Sequence, residues 1–159
     1  MKRMIAAAAV TALAACSPQP AAQAGSAPTV ASAHPVSGLP VVPLTVITPQ
    51  GSHTFQVEVA RSAEEQAQGL MFRTKLGPDE GMIFPRQPND VPSFWMKNTP
   101  LPLDIIFIGP DRRVLNIAAR TTPYSLASLG AIGLSSAVLE IPGGRAAELG
   151  IGPGARVSW

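Results

Sequence analysis

From Leu44 to Trp159 the chain is repeatedly cut by turn-forming pairs and triplets. These are Pro49-Gln50-Gly51, Gly109-Pro110-Asp111, Gly143-Gly144 and Gly152-Pro153-Gly154. Glycine supplies backbone angles other residues avoid, and proline cannot continue a strand interior or a helix. Within the longer intervals Pro85 and Pro88, Pro102, Pro123 and Gly130 are expected to end further segments, which leaves little room for long helices. The segments read instead as strands: Leu44 to Thr48, Phe55 to Val59, Met82 to Phe84, Ser93 to Met96, Leu103 to Ile108, Val114 to Ala118, Ala137 to Ile141 and Arg156 to Trp159. Phe55, Val57 and Val59 alternate with Gln56 and Glu58, the period of a half-buried strand. The expected fold is mainly β, a single antiparallel sandwich or barrel-like domain with two short helices.

The first helix is signalled by Ser62-Ala63-Glu64-Glu65, a capping box in which the serine hydroxyl and the Glu65 carboxylate satisfy each other's backbone amides. It should end near Gly69, with Leu70, Met71 and Phe72 packing inward. The second is a helical turn from Arg145 to Leu149. Thr121 to Ser136 reads as a loop. The domain has 116 residues, enough for one core.

The first 43 residues differ in kind. Met1-Lys2-Arg3 precedes an apolar run, and Leu13-Ala14-Ala15-Cys16 resembles a lipobox. Residues 1–15 therefore read as a lipoprotein signal peptide, with Cys16 the lipidated first residue of the mature chain. The apolar run is short of the roughly 20 residues a bilayer crossing needs. Residues 16–43 read as a disordered tether. Ser17 to Pro43 has no charged residue and holds six prolines and six alanines, a composition that buries too little to order itself. His34 falls here, as a passive linker residue. Ser17, where an aspartate would signal inner-membrane retention, favours an outer-membrane anchor facing the periplasm.

Loss of Lys2 and Arg3 with the signal leaves ten Lys plus Arg against ten Asp plus Glu. A chain of zero formal charge without a basic run argues against nucleic acid as a partner.

Several stretches carry a resemblance. They are Val57-Glu58-Val59-Ala60-Arg61, Gln68-Gly69-Leu70-Met71-Phe72-Arg73, Glu80-Gly81-Met82-Ile83-Phe84, Ser93-Phe94-Trp95-Met96-Lys97-Asn98-Thr99, Pro102-Leu103-Asp104-Ile105-Ile106-Phe107 and Val138-Leu139-Glu140-Ile141-Pro142-Gly143-Gly144. Over about Thr45 to Val157 the chain resembles domain-of-unknown-function family 192 (DUF192, also called uncharacterised protein family 127). The resemblance implies a small β-rich domain, often exported, and brings no established activity. Members often have Gly-Asp before the last strand; here Gly154 is followed by Ala155.

Asp104 stands inside an apolar strand, and a carboxylate buried there needs a partner. Lys97 is the nearest cation in sequence. Trp95, Lys97, Asn98 and Asp104, joined by Arg73 or Glu80, form a candidate polar cluster at one end of the sheet. A buried ion pair with a turn-capping amide accounts for the same residues without any ligand, and is favoured. Trp95 could hold a sugar or peptide, but a core position is the commoner place for tryptophan in a small β-domain. Met71, Met82 and Met96 lack accompanying His or Cys and read as core filling, so no metal is expected.

No catalytic set is visible. His53 is the domain's only histidine, no Gly-x-Ser-x-Gly elbow occurs, and no cofactor motif is present. Glu58, Glu80, Glu140 and Asp104 could supply a carboxylate pair for glycoside hydrolysis, but sequence cannot place any two at the needed separation. The reading is a membrane-anchored envelope lipoprotein acting as a non-catalytic accessory module for a small-molecule, glycan or protein ligand. The alternatives are an envelope glycan hydrolase and a purely structural envelope component.

Overall fold

The computed structural model describes residues 32–159, without the side chains of residues 87–89. The signal peptide, Cys16 and the first half of the tether lie outside the described residues. Ten strands and two short helices follow in the order β1 (Ser32–Ala33), β2 (Pro40–Thr48), β3 (Gly51–Val59), α1 (Ala63–Gln68), β4 (Glu80–Asp90), β5 (Ser93–Phe94), β6 (Leu103–Ile108), β7 (Val114–Ala118), β8 (Leu129–Gly130), β9 (Ser135–Pro142), α2 (Arg145–Glu148) and β10 (Arg156–Ser158).

Eight strands make one sheet in the order β1-β2-β3-β4-β9-β6-β7, with β10 also pairing β2. All pairings are antiparallel except β3 with β4. A parallel pair needs a crossover, and α1 lies within it. The sheet curls until β10 reaches the start of β7. The Val157 amide donates to the Arg112 carbonyl (2.8 Å), and Arg113 pairs with Arg156 as an isolated bridge. One bridge is not a ladder, so the barrel does not close. A separate two-stranded sheet, β5 with β8, packs outside.

Period-2 alternation splits the apolar residues between two faces. Ile106, Ile108, Leu139 and Ile141 join Leu44, Val46, Phe55 and Val57 inside the curl. Leu103, Ile105, Phe107, Val138, Met82 and Phe84 line the other face with Leu70 and Met96. Phe94 of β5 is held on that face by edge-to-face contacts with Phe84 (centroids 5.2 Å apart) and Phe107 (6.2 Å).

The capping box forms as its sequence dictates. Glu65 N donates to Ser62 Oγ (3.1 Å), and Ser62 N donates to the Glu65 carboxylate (2.8 Å). Gly69, at φ +49°, ends α1.

Four expectations need correction. The segment 32–43 is not all tether: β1 and the first half of β2 belong to the sheet. Ser32 pairs with Val41, and Val41 in turn with Glu58. His34 is no passive linker residue, because its Nδ1 lies 3.4 Å from Arg73 Nη2. Phe72 points outward, 66 % exposed. Its φ is +63°, and its amide is tied to the Asn98 carbonyl (2.8 Å). Pro85 and Pro88 do not end β4, which continues through a register shift to Asp90.

Candidate functional site

A cleft of about 290 Å³ opens on the outer face, between α1 with the segment after it and β5 with the loop that follows. Its floor holds Glu140. In register, Glu140 stands between Met82 of β4 and Ile105 of β6, so its side chain rises from the centre of the sheet. A Cβ at Gly81 would collide with the Glu140 carbonyl, so glycine is what lets β4 lie this close to β9.

Glu140 is 5 % exposed. Among the described residues its carboxyl has no hydrogen-bond or ion-pair partner. Among the described residues no fully occluded side-chain oxygen or nitrogen lacks a partner, so the unbonded Glu140 oxygens are reached from the cleft it lines. Burial with nothing to offset it pushes its pKa up to about 8, because the charged form loses its hydration. At neutral pH the floor is therefore mainly an uncharged acid, able to donate one hydrogen bond and accept another.

The walls are mixed. Trp95, half exposed, stands at the rim with Lys97 Nζ 5.1 Å from its ring centroid. Thr99 lines it with its hydroxyl donating to the Lys97 carbonyl (3.1 Å), and Leu70, Phe84 and Phe94 supply apolar surface. Arg86 lines another side. Its charge is met by Asp90, with Nε 2.8 Å from Oδ2, and its Nη1 reaches Gln66 (3.3 Å). Non-glycine residues with left-handed backbone cluster nearby: Asn98 (φ +54°) and Tyr124 (φ +61°) flank Thr99 in space, and Phe72 (φ +63°) bonds to Asn98. Such conformations cost energy and persist where surrounding structure imposes them.

The polar cluster expected from sequence does not assemble. Asp104 faces the interior, and its carboxylate accepts from the backbone amides of Arg120 (2.7 Å), Gly144 (2.9 Å) and Ala146 (2.8 Å). No ion pair joins it to Lys97 among the described residues. Arg73 pairs with Glu58. Glu80 accepts from the Gly77 amide in its own turn (2.7 Å). Asn98 sets a turn, its Nδ2 3.9 Å from Met71 Sδ. Of the six residues only Trp95 lines the cleft, and it is not a core residue: in a two-residue strand whose Phe94 turns inward, the next side chain must turn out. Met82 and Met96 do fill the core, while Met71 is half-buried.

Glu140 carried a signal in the sequence, a carboxylate inside the apolar run Ala137 to Ile141. Asp104 carries the same signal. What separates them is whether backbone amides arrive to meet the charge, and those amides come from 16 to 42 residues away. Among the described residues no group of three or more His, Cys, Asp or Glu side chains gathers as a metal site.

Comparison with known proteins agrees with this architecture. A crystal structure of a protein of unknown function from Novosphingobium aromaticivorans DSM 12444 matches at TM-score 0.80 and 59 % identity, over 81 % of this chain and 92 % of that one. A Sinorhizobium meliloti 1021 protein, provisionally described as a transcription regulator, matches at TM-score 0.70 and 36 % identity, over 73 % and 91 %. No match was found among curated proteins. The family model described as Uncharacterized ACR matches residues 45–159, and the chain belongs to that family, DUF192.

Proposed function

We propose that the domain is a non-catalytic binding module, held at a membrane by a lipid on Cys16, that receives a small ligand in the cleft above Glu140. One observation carries the reading. A carboxyl buried in the sheet, without a partner among the described residues, opens into a cleft rimmed by an exposed tryptophan. Buried polar groups are normally hydrogen-bonded, and one aimed into a concave site is suited to an incoming group.

The hydrolase alternative is less well supported. A two-carboxylate mechanism needs a second carboxyl group facing the first, and among the described residues lining the cleft Glu140 is the only acidic one. The description of the S. meliloti relative would bring in DNA. The balanced charge of the mature chain and the neutral floor give a phosphate backbone little to bind. The anchor is supported by the Leu-Ala-Ala-Cys sequence, and an outer-membrane, periplasm-facing position by Ser17.

Two measurements test the reading. Cys16→Ser should release the protein from the membrane fraction or block its processing; normal processing with retention at the membrane rules out the anchor. In a fragment screen by NMR on the full-length chain, shifts should gather on Gly69 to Met71, Trp95 and Thr99. A screen in which no compound moves those amides rules out the binding site.

A further inference from the structure

The cleft also constrains the chemistry of what it holds. Its floor offers an acid that burial keeps uncharged at neutral pH, one donor and one acceptor on adjacent oxygens. Its rim offers the indole of Trp95, one face of which carries Lys97 Nζ. Thr99 also lines it, its hydroxyl donating to the Lys97 carbonyl (3.1 Å) and keeping only acceptor capacity. We infer that the cleft takes a neutral, hydroxyl-rich ring, a pyranose, whose neighbouring hydroxyls meet Glu140 while its C–H face lies along Trp95. The inference rests on the binding-module reading and narrows it.

The charges around the site favour this class over ionic ligands. Besides Glu140, Arg86 on β4 is the one charged group that lines the cleft among the described residues, and Asp90 and Gln66 already occupy it. The segment running from α1 contributes amides and apolar groups. The β5 side contributes Ser93, Trp95 and Thr99, and Lys97 lies over the indole. An anion would find no free cation at the floor. A cation would have to draw the proton from Glu140, in surroundings where burial opposes the charged carboxylate. A ring bearing vicinal hydroxyls needs neither: each hydroxyl both donates and accepts, so the acid's donor and acceptor are satisfied together. The volume, about 290 Å³, is at the small end of ligand sites and suits one or two sugar rings.

The test uses the full-length chain, NMR shifts of the cleft amides, and a panel of glucose, galactose, N-acetylglucosamine and cellobiose. At least one sugar should bind with saturable shifts at Gly69 to Met71 and Trp95. Its affinity should be about tenfold weaker at pH 9 than at pH 6, because the neutral acid becomes scarce above its pKa. Glu140→Gln keeps hydrogen-bonding capacity but removes the ionisation, so the pH dependence of binding should vanish whatever the affinity. Trp95→Ala, at an exposed position, should weaken binding about tenfold without lowering the melting temperature. Binding of tetramethylammonium or putrescine at the same amides, tightening as pH rises while the sugars leave them unmoved, overturns the pyranose and preserves the module. Sugar binding that in the wild type is indifferent to pH, or that survives Trp95→Ala unchanged, also overturns it. If neither sugars, amines nor any screened fragment moves those amides, the binding module falls with it.

Discussion

Arg73 Nη2 lies 2.8 and 2.6 Å from the two carboxylate oxygens of Glu58, in a pair almost closed to solvent. Ser37 Oγ donates to the same carboxylate and His34 Nδ1 lies 3.6 Å away. The pair therefore fastens the turn after β1 to β3. Arg73→Ala should leave a buried unpaired carboxylate and cost about 3–5 kcal/mol in denaturant unfolding. Limited proteolysis should then cut between His34 and Leu39 faster than in wild type. Arg73→Met with Glu58→Leu should restore much of the stability, since a buried pair is replaceable by apolar residues of similar volume.

Asp104 satisfies three backbone amides at once, from the turn at Arg120 and the start of α2. Asp104→Ala orphans all three, and each unsatisfied buried amide costs about 1–3 kcal/mol. The expected loss is at least about 3 kcal/mol, and Asp104→Asn should fall between. Because Asp104 and Glu140 lie on opposite faces, the cleft amide shifts of the folded Asp104→Asn protein should match wild type. Calorimetry and an NMR spectrum check both halves.

Glu140 makes stability depend on pH with a definite sign. Burial raises its folded pKa to about 8 from the ordinary carboxyl value of 4.5. Between those values the folded state holds a proton that the unfolded state has lost. Stability is greatest below the unfolded pKa and falls by up to ~1.4 kcal/mol per pH unit until pH passes the folded value. Denaturant melts at pH 5, 7 and 9 should show the decline, and Glu140→Gln should flatten it.

Phe94 holds β5 against the sheet through Phe84 and Phe107. Phe94→Ala should cost about 3 kcal/mol. Hydrogen exchange should quicken at Ala131, whose amide bonds to the Pro92 carbonyl (3.0 Å) beside β8.

What sequence revealed was local. The β2–β3 turn, the capping box at Ser62, the alternation within β3 and the turn into α2 follow from residues close along the chain. The β8 pairing at Leu129 was invisible because two residues carry no period, and the parallel β3–β4 pair because register between distant strands has no local signature. The site misread has the same origin. Lys97 is near Asp104 in sequence, but Asp104 points into the curl and finds its partners across long loops. Ser32 to Pro43 looked like tether because it is uncharged and proline-rich. It becomes ordered through an edge of β2 that only the folded sheet supplies.

That edge of β2 is shared: β1 covers Pro40–Val41 and β10 covers Thr45–Ile47. Strand edges left bare are templates for association with other chains. A strand begun at Pro40 thus waits for Arg156–Ser158 before its edge is shielded, whereas β1 is available from the outset. During synthesis β1 can guard one half of an edge whose other half stays open until more than a hundred further residues have been added. Variants that loosen β1 should accordingly betray themselves first as aggregation of newly made chains, before any change is measurable in the finished protein.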